Sequence, residues 1–410
     1  IIVADDVEVP NNSATQMMRD KLGEQVKEFD AILKPLEDAK IIFLGTPQCE
    51  DTIYRQLTER GYQTKIWPAQ YVTPAQSTKR YDGHISDCCV DIEQKGRSTE
   101  PLRFSDVDLA ERKVSYGSAG YALQFMLDSN LSDVEKYPLK LADLIVMSLD
   151  NELAPERLVW ARNPELEWDG SIPNVGMTGD RFYRPMKVLG DHVKYTGSVM
   201  SIDPSGRGKD ETGYAVVKML NGFLYVTAAG GVQGGYSEET LKFLSMTAKE
   251  HKVNEIVVES NFGDGMFVEL LKPILRKVHP CTIEEVRHST QKERRIIDTL
   301  EPVMTGHKLV VDPKVIQTDY ETTQSYPKDH ALKYQLIYQM TRITRDRGAV
   351  THDDRLDALA MAVGYWTAQM SQDASERILE RKEDVLKMEL AKYAEAYFKT
   401  RKGGQNILTW

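Results

Sequence analysis

A hairpin signal constrains the fold of this chain more than any other feature of its sequence. Two largely apolar stretches, Gly213–Leu220 and Phe223–Ala229, are separated only by Asn221-Gly222. An Asn-Gly pair favours the tight two-residue turn that joins antiparallel strands. The sequence therefore predicts a β-hairpin here, and any fold for the second half of the chain has to contain it.

The segments around the hairpin predict a mixed sheet. A strand over Ser198–Ile202 ends at Asp203, and a strand over Glu255–Glu259 follows a predicted helix at 237–251. This order indicates an antiparallel meander on one side of the sheet and parallel strands on the other. The remaining predicted elements of this half are helices at 263–278, 291–305, 328–345 and 353–370 and strands at 282–287 and 308–311.

The first half of the chain predicts a separate parallel α/β sheet. Ile1–Ala4 and Ile41–Leu44 are uninterrupted apolar runs with a predicted helix at 13–38 between them. Because the chain opens directly on a predicted core strand, we expect an N-terminal portion to precede it. The segments that follow are predicted as a polar loop at 70–100, helices at 105–148 and a Pro- and Gly-rich connecting segment at 155–197.

Composition narrows the class of protein. The apolar share of 41% and the charged share of 28% are typical of a soluble globular protein. No apolar run approaches the ~18 residues that a membrane-spanning helix needs. The four cysteines suit free thiols in a reducing cytoplasm, and the alternative is a zinc site at His84 and Cys88-Cys89.

The net charge of −10 argues against a protein whose whole surface is coated by nucleic acid. Basic residues nevertheless form two local groups that are suited to a phosphate backbone, with solvated helix faces as the alternative interpretation. These groups are Arg287, His288, Lys292, Arg294 and Arg295, and Arg342, Arg345 and Arg347.

Acidic residues stand where predicted strands end and where a predicted helix begins. Asp203 and Glu259 each end a strand, and Asp353, Asp354 and Asp357 open a helix on which residues three or four apart share one face. Helix capping accounts for one or two acids at a helix start, but not for three. If the two strands are neighbours, these carboxylates predict a site for a pair of Mg²⁺ or Mn²⁺ ions that hydrolyses a phosphodiester.

The order of these motifs resembles the RNase H-like nucleases, and in particular the nuclease domains of terminase large subunits from short-tailed phages. The similar segments are Asp203-Pro204-Ser205-Gly206, Lys209 to Tyr214 and His352 to Ala358. The resemblance implies that Asp203, Glu259 and one of the acids at 353–357 are catalytic metal ligands. Asp354 is the preferred third ligand, Asp357 the second choice, and Asp210 an auxiliary acid.

The first half resembles part of the terminase ATPase. Ile1 to Glu8 is similar to a Walker B strand, with Asp5, Asp6 and Glu8 as its acids. Thr46-Pro47-Gln48 is similar to the coupling motif, and Tyr121 to Phe125 to the helical lid. A Gly-x-x-x-x-Gly-Lys-[Ser/Thr] phosphate-binding loop is absent from the sequence, so we expect this chain alone to hydrolyse no ATP.

The resemblance implies an α/β fold with a partial P-loop ATPase-type parallel sheet, an RNase H-like mixed-sheet nuclease domain and a C-terminal helix. The implied regions are an ATPase part at 1–100, a helical lid at 101–150, a linker at 151–196, a nuclease domain at 197–370 and a tail at 371–410.

The implied function is cutting of concatemeric duplex DNA, coupled in the intact protein to ATP- and Mg²⁺-dependent translocation of DNA into a procapsid. The implied partners are duplex DNA, the portal ring, a small terminase subunit and further copies in a homo-oligomeric ring, with no membrane. The implied location is the host cytoplasm, transiently on the procapsid. Lys209, Arg287 and Arg355 are expected to contact the DNA backbone. The alternatives are a resolvase- or transposase-type nuclease without a motor, and a non-enzymatic docking protein that uses the tail helix.

Overall fold

The computed structural model describes residues 1–36, 38–129, 137–205, 210–260, 265–288 and 290–372. The chain divides into two units, Ile1–Ala362 and Val363–Trp410, and the described residues 363–372 of the second unit are helical. The predicted tail helix at 373–402 and the predicted DNA contact Lys209 lie outside the described residues.

The strands of the described residues are β1 (Ile2–Asp5), β2 (Ile41–Leu44), β3 (Ile145–Val146), β4 (Leu153–Val159), β5 (Lys187–Lys194), β6 (Gly197–Asp203), β7 (Thr212–Leu220), β8 (Phe223–Val232), β9 (Glu255–Glu259), β10 (Thr282–Val286) and β11 (Leu309–Val311).

The helices of the same residues are α1 (Pro10–Ser13), α2 (Gln16–Ile32), α3 (Ile53–Glu59), α4 (Pro74–Tyr81), α5 (Asp106–Gln124), α6 (Glu238–Glu250), α7 (Met266–Val278), α8 (Lys292–Thr305), α9 (Pro313–Thr323), α10 (Lys328–Tyr334), α11 (Leu336–Arg342) and α12 (354–372). None of these helices is both long enough and apolar enough to span a membrane.

Seven of these strands form one mixed sheet in the order β10-β9-β6-β7-β8-β11-β3. The predicted hairpin is confirmed, because β7 and β8 pair antiparallel on either side of Asn221-Gly222. Both turn residues have positive φ angles, 50° and 77°, as the favoured two-residue hairpin turns require. β6 pairs parallel with β9, so the strands that end in Asp203 and Glu259 are neighbours, as the predicted metal site requires.

The faces of β6 explain how the sheet is covered. Met200 and Ile202 point to one face, where they pack in a buried apolar cluster with side chains of α6 and α7 such as Leu244 and Leu271. Burial of each such side chain contributes about 1.5–3 kcal/mol. Ser201 points to the opposite face, and its hydroxyl donates a hydrogen bond to the carbonyl oxygen of Ala358 in α12. The start of α12 is thereby held against the strand that ends in Asp203.

The first part of the chain contains the predicted parallel pair. β1 and β2 form a separate two-stranded sheet in which Ile2 lies opposite Ile41. Helices α2 and α3 cover this pair with an apolar cluster that includes Leu22, Val26 and Leu57. The alternation of apolar strand and amphipathic helix therefore produces the arrangement that the sequence predicts.

Several segments differ from the predicted elements. The polar loop predicted at 70–100 contains α4, and the helix predicted at 328–345 is divided into α10 and α11. Residues 145–146, predicted as helix, form β3 beside β11, because Ile145 and Val146 are β-branched and fully buried there. The predicted connecting segment contains β4 and β5, which pair antiparallel. Helix α9 follows a signal that the prediction missed, since Asp312 caps its first turn through Lys314 and Pro313 occupies its first position.

Candidate metal centre

Three carboxylates from separate elements converge at one edge of the seven-stranded sheet. Asp203 ends β6 and Glu259 ends β9, and these parallel strands are in register with Ile202 opposite Val258. The third carboxylate is Asp357, on the first turn of α12. One oxygen from each of the three side chains lies within 4.8 Å of the other two. In the part of the chain that the structure describes, this is the one cluster with the spacing of a metal site.

The other predicted acids lie around this cluster. An oxygen of Asp353 lies 2.9 Å from the Lys292 ammonium nitrogen. Asp210 is largely exposed, and one of its oxygens lies 3.6 Å from Nδ1 of His352. Asp354 does not share the three-carboxylate cluster. The geometry therefore favours Asp357, the second choice of the sequence analysis, over Asp354 as the third ligand, and the assignment stays a prediction.

A glycine allows α12 to approach the strands so closely. Gly213 lies directly opposite Asp203 in the β6–β7 ladder. A Cβ atom at this position would lie 2.2 Å from the backbone carbonyl oxygen of Asp354. Because no side chain fits there, residue 213 sets the distance between the first turn of α12 and the strand that carries Asp203.

Three basic side chains contact the carboxylates. The Lys292 Nζ atom lies 3.2 Å from Asp203 and 3.1 Å from Asp357. Arg295 donates from one nitrogen to both oxygens of Asp357, at 2.6 and 2.9 Å. His288 Nδ1 lies 3.2 Å from Glu259. These residues belong to the first basic group of the sequence, which suggested phosphate contacts rather than this role.

The pKa values of the site's acids are raised first of all by burial. Burial raises the pKa of Asp203 well above its ordinary value, and neighbouring carboxylates add to the rise although Lys292 opposes it. Burial also raises the pKa of Asp354, to about 7. Burial alone would lower the pKa of Lys292, but the three carboxylates around it outweigh burial and the pKa rises. A bound cation would favour the charged forms of the acids.

Two of the residues that were predicted to contact the DNA backbone, Arg287 and Arg355, differ in exposure. Arg287 is exposed, next to β10. Arg355 is fully buried and donates to both oxygens of Glu211, at 2.8 Å each, and to Asp319 at 2.8 Å. The expectation that Arg355 contacts DNA is corrected by this placement, because its guanidinium is occupied inside the protein. Glu211 and Asp319 are acids that could pair with an arginine, but the sequence does not show that they lie next to Arg355.

The second basic group is also partly internal. Arg342 is buried and pairs with Asp51 at 2.9 Å, and Arg345 forms ion pairs with Asp298 and Glu301. No disulfide joins the four cysteines, all of which are among the described residues; Cys89 is buried and Cys88 exposed. Among the described residues, His84 and the adjacent cysteines do not appear in a cluster with metal-site spacing.

The residues that resemble an ATPase form a connected group. Asp5 ends β1 and its side chain is exposed, as is that of Asp6. Glu8 is buried and accepts hydrogen bonds from the backbone N–H groups of Gln48 and Ile53, each at 2.6 Å. Glu8 therefore joins the Walker B-like segment to the turn of Thr46, Pro47 and Gln48 that follows β2.

Comparison with known proteins identifies the family of the second half. Residues 202–309 match the family model of the ribonuclease H-like domain of the bacteriophage T7 terminase. The chain is 47% identical over 381 residues to the terminase large subunit of Enterobacteria phage T3; the aligned region covers 91% of this chain and 65% of that protein. The chain thus spans about two thirds of the length of this relative.

Solved terminase nucleases are more distant. The large terminase nuclease of thermophilic phage G20c is 13% identical, with a TM-score of 0.32, and the alignment covers 56% of this chain and 98% of that one. A nuclease domain of the human cytomegalovirus terminase is 13% identical with a TM-score of 0.31, over 41% and 82% of the two chains. The sequence matches are more informative than these scores. With a match to the T7-type RNase H-like domain at 202–309 and 47% identity to the T3 protein over 381 residues, the chain is similar to terminase large subunits over most of its length.

Proposed function

We propose that this chain carries a divalent-metal-dependent endonuclease that cuts concatemeric duplex DNA. The observation that supports the proposal is the convergence of Asp203, Glu259 and Asp357 from two strands and a helix within 4.8 Å of one another. Buried carboxylates need partners; Lys292, Arg295 and His288 contact these three, and a bound divalent cation would be a further partner that they share. The similarity to a terminase large subunit supports the same conclusion.

The donor set fits Mg²⁺ or Mn²⁺. The three converging ligands are all carboxylates, and hard divalent cations prefer oxygen ligands. Asp203, Glu259 and Asp357 would hold the ions, with Asp354 and Asp353 close to them. When bound, the ions supply charge stabilisation for the phosphodiester and activation of the attacking water.

The chain's own basic residues prepare this site. Arg295 bonds both oxygens of Asp357 and so fixes the plane of that carboxylate. His288 orients Glu259, and Lys292 holds Asp203 against α12. Arg287, which is exposed at the end of β10 beside Glu259, is suited to bind the DNA backbone without reading its sequence.

The motor function is proposed for the intact protein. The bond between Glu8 and Gln48, next to the exposed acids Asp5 and Asp6, supports a role in ATP- and Mg²⁺-dependent translocation into a procapsid. The named relative is a terminase large subunit, of which this chain spans 65%. We accordingly propose a homo-oligomeric ring that works in the host cytoplasm, transiently docked on the procapsid, with a portal ring and a small terminase subunit as partners.

Plasmid cutting tests the nuclease. The full chain, incubated with supercoiled plasmid and Mg²⁺ or Mn²⁺, is expected to produce nicked and linear DNA, and a chelator should stop the reaction. Agarose gel electrophoresis measures both products. Equal cutting in the presence and absence of chelator, or no cutting over a range of Mn²⁺ concentrations, would contradict the proposal.

Binding of Mn²⁺ is expected to strengthen as pH rises through the range in which the site's buried acids lose their protons. An acid with a raised pKa stays protonated at lower pH, and the proton competes with the metal ion. Because the pKa of Asp354 is about 7 and that of Asp203 is also raised, affinity should increase about tenfold per pH unit for each displaced proton below that pKa.

Calorimetric titration with Mn²⁺ at pH 6, 7 and 8 measures this dependence. Repeating each titration in buffers of different ionisation enthalpy counts the released protons. We expect proton release at pH 6 and little at pH 8. Equal affinity and equal proton release at the three pH values would show that these acids are not titrating at the metal site.

A further inference from the structure

Helix α2, which follows β1 and the short helix α1, contacts the loop that leads to the metal centre. This loop, residues 343–353, connects α11 to α12 and ends at Asp353. We propose that Asp20, on α2, is a positioning residue of the metal centre, which holds this loop and thereby sets where α12 presents its carboxylates. The inference rests on the proposed metal-dependent nuclease and adds a residue from the other half of the chain.

The Asp20 carboxylate accepts hydrogen bonds from the loop and from two side chains outside it. One of its oxygens accepts a hydrogen bond from the Thr351 hydroxyl at 2.9 Å. The other accepts from the Lys333 ammonium group at 2.7 Å and from the Gln16 amide at 2.9 Å. Thr351 precedes Asp353 by only two residues, so its position limits where α12 can begin.

The middle of the same loop is held between α2 and α8. The backbone N–H of Gln16 donates to the carbonyl oxygen of Ala349 at 3.0 Å. The backbone N–H of Gly348 donates to the carboxylate of Glu293 at 2.6 Å. Glu293 is the neighbour of Lys292, the lysine that contacts Asp203 and Asp357. A shift of the loop would therefore move both the acids and the lysine between them.

The beginning of the loop is fixed from the same side. Arg342, the last residue of α11, is buried and pairs with Asp51 at 2.9 Å. Its guanidinium also donates to the carbonyl oxygen of Val175 at 3.1 Å. Asp51 lies three residues after Gln48, which bonds to Glu8. Residues 16–51 thus hold the start, middle and end of the 343–353 loop.

A small displacement of this loop has a large expected effect. Metal ligands have to be held within about 0.5 Å of their working positions. Loss of a partner that orients a metal ligand typically reduces metal affinity about 10–100-fold. Asp20 acts one step further away, through the loop, and its replacement should fall in the lower part of that range.

Asp30 provides a matched control on the same helix. Its carboxylate pairs with Arg60 at 2.6 Å and accepts from the Tyr62 hydroxyl at 2.9 Å. It therefore makes a comparable set of bonds without touching the 343–353 loop. Asp20→Ala, Thr351→Val and Asp30→Ala can be compared in the full chain by direct Mn²⁺ binding, by the Mn²⁺ concentration for half-maximal plasmid cutting, and by melting temperature.

We expect Asp20→Ala to weaken Mn²⁺ binding about tenfold and to raise the half-maximal Mn²⁺ concentration equally, with cutting restored at saturating Mn²⁺. Thr351→Val should change both in the same direction but less, and Asp30→Ala should change neither. If Asp20→Ala binds Mn²⁺ like the unsubstituted chain, or Asp30→Ala weakens it equally, the inference is wrong. Should Asp20→Ala not fold, Asp20→Asn and Thr351→Val test the same contacts. A chain that binds Mn²⁺ but cuts no DNA contradicts the proposed function instead, while the binding data still decide the role of Asp20.

Discussion

Replacing Asp203 by asparagine is expected to reduce metal-dependent DNA cutting by more than about 100-fold. Loss of a residue that merely orients a metal ligand costs about 10–100-fold, and Asp203 is itself one of the three converging carboxylates that we propose as ligands. Asparagine keeps the size of the side chain but removes the charge that holds a divalent cation. Initial rates of plasmid cutting with Mg²⁺ and Mn²⁺ measure the loss.

A control variant separates this effect from general damage. Asp191 is an exposed acid on β5, and Asp191→Asn should cut DNA at the rate of the unsubstituted chain. Without metal, Asp203→Asn should unfold at an equal or higher temperature than the unsubstituted chain, because it removes one buried, repelled carboxylate. Full activity of purified Asp203→Asn would place the nuclease elsewhere and remove the basis of the proposed function.

Replacing Arg355 by methionine is expected to destabilise the fold by about 3–5 kcal/mol, the usual cost of removing one partner from a buried ion pair. Arg355 is fully buried between Glu211 and Asp319, which are themselves almost wholly buried. Methionine fills most of the volume but leaves two carboxylates without their counter-charge. Equilibrium unfolding in urea, followed by intrinsic fluorescence, measures the change in the free energy of unfolding.

The matched control is Arg345→Met. Arg345 pairs with Asp298 and Glu301, but half of its side chain is exposed. Surface pairs contribute about 0–1 kcal/mol, so this variant should unfold close to the unsubstituted chain. Equal unfolding of the Arg355 and Arg345 variants would mean that the buried network does not hold the start of α12. If Arg355 instead contacted DNA, as first expected, Arg355→Met would lose DNA binding without losing stability.

The sequence by itself predicted the part of the site that depends on strands. The Asn221-Gly222 turn and the apolar runs around it specify the meander, because a two-residue loop leaves one way to pair β7 with β8. Asp203 and Glu259 could be placed together for a related reason. Each follows an apolar strand, and the carboxyl ends of neighbouring parallel strands lie at the same edge of the sheet.

The tertiary structure alone decided the part that depends on α12. Each residue turns about 100° around a helix axis, so Asp353 and Asp354 point in different directions, and either of them can share a face with Asp357. Which of them faces the strands depends on how the helix is rotated and how closely it packs. That placement is set by the contact of Asp354 with Gly213, by the burial of Arg355 and by the loop held through Asp20. These contacts join residues between 36 and 331 positions apart, and no local pattern in the sequence encodes them.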